Sequence, residues 1–131
     1  MRLRTKNLAD YAQDKAFRTP EAVAIYLENG EHIRFGSIFK EAMALATSLS
    51  NLGLKAGDVI SFQLPNWRET VALDIAAVWL GLVVNPVIPI YRDHELAFIL
   101  ADSRCRCLFI PGVYRGYDFP EMIERLSPEL P

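Results

Sequence analysis

Side chains that could do chemistry are few and scattered along this 131-residue sequence. Cys105 and Cys107 lie two apart in "SRCRCLFIP". On a strand such a pair shares one face at roughly 6.5–7 Å, a poor geometry for a disulfide. It is half of a metal set, and no second pair completes it. The two therefore read as reduced thiols. "HELAF", from His94 to Phe98, begins like the zinc motif H-E-x-x-H, but Phe98 stands where the second imidazole is needed. His32 follows a turn and His94 opens a helix, so both read as solvated. Ser37, Ser48, Ser50, Ser61, Ser103 and Ser127 have no evident base, and no G-x-S-x-G elbow occurs. The phosphate cradles G-x-G-x-x-G and G-x-x-x-x-G-K-[ST] are also missing. "GLKAGD" is too short for either and reads as a turn, with Asp58 as ordinary turn chemistry. Asp74 interrupts an apolar helix. It reads as a polar residue on the exposed face, with a buried functional carboxylate as the alternative. Trp67 and Trp79 read as packing residues.

The elements that must carry these residues follow from periodicity. Leu8, Tyr11, Ala12, Lys15 and Ala16 are spaced as one helical face, predicting a helix from about Asn7 to Phe17. "VAIYLENGEHIRF" predicts a hairpin turning at Asn29-Gly30. "GSIFKEAMALATSLSNLG" predicts a long amphipathic helix with Ile38, Ala42, Leu45 and Leu49 inward. "VISFQL" is a strand, and a helix follows from about Trp67 to Leu80. "LVVNP" reads as a strand buried on both faces. "RDHELAFILADS" is a helix with Asp93 as its cap, "RCLFIP" a strand, and "YDFPEMIERL" a helix capped by Asp118 with Pro120 in its first turn. Helices alternating with apolar strands predict a layered α/β fold, with a mostly parallel sheet and a β-hairpin near the N-terminus.

The run "WLGLVVNPVIPIYRDHEL", residues 79 to 96, raises the question of a membrane. From Ile75 to Tyr91 only Asn85 is clearly polar, yet 17 residues fall short of the ~20 a spanning helix needs. Pro86 and Pro89 would break such a helix, and Gly81 divides the run into helix and strand. No transmembrane segment is expected. The start lacks an apolar signal-peptide core, and reduced cysteines point to the cytoplasm. A formal net charge of −2 without a basic stripe argues against nucleic acid as the partner.

Segment order carries more information than any one residue. "EHIRFGSIFKEAMALATSLSNLGLKAGDVISFQLPNWRE", followed by "AAVWLGLVVNPVIPIYRDHELAFILADSRCRCLFIP", resembles the N-terminal portion of adenylate-forming enzymes, the acyl-CoA synthetase and ligase superfamily. "IRFGSIF" is similar to that family's first core motif, with Arg34 in place of the usual Thr and Ser37 in place of the usual Glu. "VWLGLVVNPVIPIY" resembles the second. "GDVISFQLPNWRE", "NPVIPIYRDHEL" and "YRGYDFPEMI" are most similar to cyclohexanecarboxylate-CoA and medium-chain acyl-CoA ligases.

The resemblance implies a single partial domain over residues 1–131, an incomplete part of the large N-terminal domain of such a ligase. It implies a parent enzyme that joins a carboxylic acid to CoA through an acyl-adenylate, using ATP and Mg²⁺ and releasing AMP and pyrophosphate. A medium-chain or cyclic acid is expected. The family's Ser/Thr/Gly-rich phosphate loop, ribose-binding aspartate and catalytic lysine are absent from these 131 residues, so no catalytic residue is carried over and the segment alone is expected to be inactive. Pro89, Ile90 and Tyr91 match the loop near the CoA pantetheine route and are candidate wall residues of that channel. A rigid buried crossover without ligand contact is the competing reading. Three functional hypotheses follow. The sequence is part of an AMP-forming acyl-CoA ligase, or a stand-alone acyl- or CoA-binding module derived from one, or an unrelated enzyme using His32 or His94. The tail "LSPELP" lacks a closing element, which favours the first. Self-association is expected through open sheet edges and apolar positions such as Val83, Val84, Val87 and Ile88.

Overall fold

The computed structural model describes residues 6–130. Two compact units are present, and both are discontinuous in sequence. One comprises the stretch up to Ala56 together with Asn66–Leu82; the other comprises Gly57–Pro65 and the stretch from Val83 onward.

The first unit is three helices and a hairpin. Helix α1 (Leu8–Arg18) starts at Asn7. The Asn7 Oδ1 accepts from the Asp10 amide at 2.9 Å, and Asp10 Oδ2 accepts from the Asn7 amide at 3.0 Å. This reciprocal box satisfies two of the orphan donors at a helix start. Strands β1 (Val23–Tyr26) and β2 (His32–Arg34) pair antiparallel. They lead into α2 (Phe35–Asn51), and α3 (Arg68–Leu80) packs on it. The core holds Ala9, Ala12, Ile33, Ile38, Ala42, Ala72 and Ile75. Alanines at these contacts let helix backbones approach closely, with little side-chain entropy lost on burial. On α1 the buried residues are Ala9 and Ala12, whereas Leu8 and Tyr11 are exposed. The inward face is thus rotated from the one the larger apolar residues mark, because only methyl-sized side chains fit there. Phe39 and Trp79 meet edge to face at 5.9 Å, and Glu41 pairs with Arg68. Helix α3 ends at Gly81, whose φ of 73° is left-handed and whose absent Cβ would lie 3.2 Å from that of Ala56.

The second unit is built on a three-stranded parallel sheet of order β4-β3-β5, with β3 (Val59–Phe62), β4 (Val83–Pro86) and β5 (Cys107–Phe109). Ile60 aligns with Val84 on one side and Cys107 on the other. Helices α4 (Asp93–Ser103) and α5 (Phe119–Leu126) close a core of Val87, Leu96, Leu100, Phe119, Met122 and Leu126. Asp118 caps α5 through the Glu121 amide at 2.9 Å, as expected. A second hairpin, β6 (Val113–Tyr114) and β7 (Tyr117–Asp118), turns through Arg115 and Gly116, both at positive φ.

Three expectations are corrected here. The strand "LVVNP" is not buried on both faces. Among the described residues β4 pairs on one side only, and Val83 is 50% exposed. Val87, expected at an exposed apolar face, is buried under α4 and α5. Asp93 is not the cap of α4. Arg92 occupies that position, with its amide donating to Glu95 Oε2 at 3.3 Å, while Asp93 accepts from the Arg125 guanidinium. No helix among the described residues is long and apolar enough to cross a membrane.

Candidate functional site

Parallel pairing places the carboxyl ends of β3, β4 and β5 along one edge of the sheet. In open α/β sheets this is where ligands gather. Three segments leave from it: Gln63 after β3, the loop 87–92 after β4, and the β6–β7 hairpin after β5.

The loop is held by side chains more than by its own backbone. Val87 continues the ladder, its amide donating to the Phe62 carbonyl at 2.8 Å, and the Tyr91 amide closes a turn on the Ile88 carbonyl at 3.1 Å. Pro86 and Pro89 have no amide hydrogen to offer. Two side chains bond the carbonyls of Ile88, Pro89 and Tyr91. Gln63, fully buried, donates its Nε2 to Ile88 O at 3.1 Å and to Tyr91 O at 2.8 Å. Arg92 donates its Nη1 to Pro89 O at 2.7 Å and to Tyr91 O at 2.9 Å. The guanidinium also lies over the Tyr117 ring, 3.9 Å from its centroid, and Tyr117 meets Phe119 edge to face at 5.1 Å. Stacking of this kind immobilises the fork without neutralising it. One step back, Asn85 Nδ2 donates to the buried Ser61 Oγ at 3.0 Å.

With the carbonyls turned inward, the apolar side chains point out. Ile88 is 57% and Ile90 72% exposed, while Pro89 and Tyr91 are half-buried. Only Ile88 and Ile90 are exposed here; Val87 is buried. The tip of the loop, Ile88–Ile90, is an apolar surface held in one shape by these bonds.

The other singled-out residues form no constellation. His32 rests edge to face on Tyr26 at 4.7 Å and is exposed, as is His94. Ser48 and Ser103 donate their hydroxyls to helix carbonyls. Asp58 pairs with Arg106. Asp74 is half-buried rather than freely exposed, and burial pushes its carboxyl pKa up. Cys105 and Cys107 are free thiols. The Cys105 Sγ donates to the Cys107 carbonyl at 3.1 Å, and burial, with Cys105 beside it, raises the Cys107 pKa. Such a thiol is a weak nucleophile at neutral pH. Among the described residues no group of three or more His, Cys, Asp and Glu side chains could hold a metal ion. Gln63 and Arg92 escaped the sequence reading. A glutamine ending an apolar strand gives no signal of what it will bond, and Arg92 reads as one charge in a charged helix start.

Comparison with known proteins places this geometry. The sequence profile of the AMP-binding enzyme family matches residues 12–130. The medium-chain fatty-acid–CoA ligase of Escherichia coli K12 is 30% identical over 125 residues, covering 95% of this chain and 22% of its own length. The chain thus spans about a fifth of that curated relative. The fold superposes on a structure assigned as a long-chain fatty-acid CoA ligase of Rhodopseudomonas palustris with a TM-score of 0.84. Identity is 24%, over 98% of this chain and 31% of that one. It also matches the N-terminal domain of FACL13 from Mycobacterium tuberculosis with a TM-score of 0.76 and 25% identity, over 81% of this chain and 27% of that one. The mixed α/β architecture is that of adenylate-forming N-terminal domains, and the profile match runs through the helices, the sheet and the latched loop alike. The chain belongs to the AMP-binding enzyme family.

Proposed function

We propose that residues 1–131 form one partial domain at the N-terminus of an AMP-forming acyl-CoA ligase. The enzyme joins a medium-chain or cyclic carboxylic acid to CoA, using ATP and Mg²⁺, through an acyl-adenylate, and works in the cytoplasm. The observation that carries this reading is the family match over residues 12–130. The similarity to a medium-chain ligase supports the acid class.

Within that reading Pro89, Ile90 and Tyr91 form part of the CoA-channel wall. A rigid apolar surface at the carboxyl edge of a parallel sheet suits the flexible, largely apolar pantetheine arm. The described residues supply no acidic cluster for Mg²⁺ and no phosphate loop, so no role in adenylation is assigned to them. The 131 residues alone self-associate through the open β4 edge and the exposed Val83, Ile88 and Ile90 side chains. A monodisperse monomer in concentrated sedimentation runs would refute this.

The test of the whole reading is to follow the reading frame past the codon for Pro131 and assay its product for ATP–pyrophosphate exchange. Exchange that depends on a medium-chain or cyclic acid is the expected result. A frame that stops at Pro131, or a product that exchanges with no carboxylic acid, overturns it and leaves the stand-alone binding module.

A further inference from the structure

We infer that Gln63 is a positioning residue for the CoA-dependent half-reaction, setting the shape of the 88–91 wall from beneath. The inference rests on the ligase reading and deepens it. Gln63 is fully buried at the end of the central strand. Its backbone amide donates to Phe109 O at 2.8 Å, which anchors the main chain from which the side chain reaches out. Both Nε2 hydrogens go to carbonyls of one loop, Ile88 and Tyr91, which are the residues flanking the Pro89-Ile90 tip. The amide oxygen gains nothing from this arrangement: among the described residues Gln63 Oε1 is a buried side-chain oxygen with no hydrogen-bond partner. Leaving a buried acceptor unpaired is unfavourable, and an apolar residue would avoid it. What glutamine provides here and leucine cannot is a two-pronged donor of the right reach. Arg92 completes the clamp from the other side, on Pro89 O and Tyr91 O. Together they keep the loop carbonyls inward and the Ile88 and Ile90 side chains outward before any ligand arrives. That is preorganisation, whose loss appears as weaker binding of whatever meets the wall.

The experiment uses the full-length ligase and two variants. Gln63→Leu removes the donors and keeps the volume apolar. Gln63→Glu keeps the shape and replaces the donor nitrogen by an acceptor. KM for CoA in thioester formation is compared with the rate of ATP–pyrophosphate exchange, which needs no CoA. Expected is a rise in KM for CoA of roughly tenfold in both, the scale of losing two neutral hydrogen bonds that preorganise a surface. That rise should exceed any loss of exchange rate severalfold. If Gln63 only held the fold together, its replacement would impair CoA-dependent thioester formation and exchange in step, and that outcome overturns the inference. Unchanged KM for CoA in a variant with normal exchange also overturns it while leaving the ligase reading intact. A wild-type protein without exchange removes both. If neither Gln63 variant folds, Arg92→Met, which opens the same clamp from its exposed side, decides by the same ratio.

Discussion

Replacing Leu96 by alanine measures how much of the second unit rests on one side chain. Leu96 lies on the inner face of α4 with no exposed surface, among Val87, Leu100, Phe119, Met122 and Leu126. Three carbons leave, a transfer loss of about 2.4 kcal/mol at roughly 0.8 per methylene. The void adds to this, because α4 is fixed at both ends and cannot collapse inward. It begins at the Arg92–Glu95 contact and ends at the left-handed Arg104. A total of about 3–4 kcal/mol is therefore expected. Phe98, two residues on, is the internal control: it is larger, but 69% exposed. Phe98→Ala removes little buried surface and installs a better helix former, so its effect should lie within about 0.5 kcal/mol of zero, of either sign. Urea denaturation followed by circular dichroism reads both. With a slope of about 2 kcal/mol/M, Leu96→Ala lowers the midpoint by roughly 1.5–2 M while Phe98→Ala barely moves it. Equal effects, or a loss below about 1 kcal/mol at Leu96, would refute the packing of α4 described above.

Two further outcomes follow from the structure. Gly81→Ala forces a Cβ into a left-handed position 3.2 Å from the Ala56 methyl, whereas Gly53→Ala, at a similar φ of 85°, meets nothing within 4 Å. Both cost about 1 kcal/mol in backbone strain, and Gly81→Ala costs visibly more by thermal melting; equal melting points would contradict the close approach. Acid titration of stability separates two carboxylates. The Arg125 hydrogen bonds hold Asp93 below the usual carboxylate range, so its contribution is present above the unfolded pKa and fades as pH falls through the folded one; Asp93→Asn should flatten that acid limb. Burial raises the Asp74 pKa, so its ionisation costs stability as pH rises past the unfolded value. Asp74→Asn should then stabilise at neutral pH, by no more than about 1 kcal/mol for a half-exposed group. Loss of neutral-pH stability in that variant would show the carboxylate has a partner that favours its charge.

The elements with local causes were legible in the sequence. Gly81 signals its own left-handed turn, Asp118 and Pro120 announce a helix start, and Asn29-Gly30 marks a hairpin. What was hidden depends on neighbours distant in sequence. "LVVNP" has the composition of a central strand, yet its place beside β3 alone comes from the strand order. The second hairpin was obscured because Arg115 takes a φ of 49°, a conformation that asparagine or glycine would have advertised. The end of α4 was legible: the helix read from "RDHELAFILADS" stops at Ser103, as in the structure. The loop at 87–92 was found through its resemblance to a family motif. Its clamp was not, since nothing around Gln63 or Arg92 in the sequence records which carbonyls they will meet across 25 to 28 residues or around a turn.

The strand order also bears on how the chain is born. β3 is the centre of its sheet, yet Ile60 meets Val84 only 24 residues later and Cys107 only 47 residues later. Emerging from a ribosome at about 10 residues per second, it would wait roughly two seconds for its first neighbour and five for its second. During that interval the backbone edges of β3, which carries the buried Ile60 and Phe62, lack their ladder partners. The segment between them and β4 is the helix that completes the other unit. A nascent polypeptide of this kind carries an apolar strand with open edges until both later strands have been made.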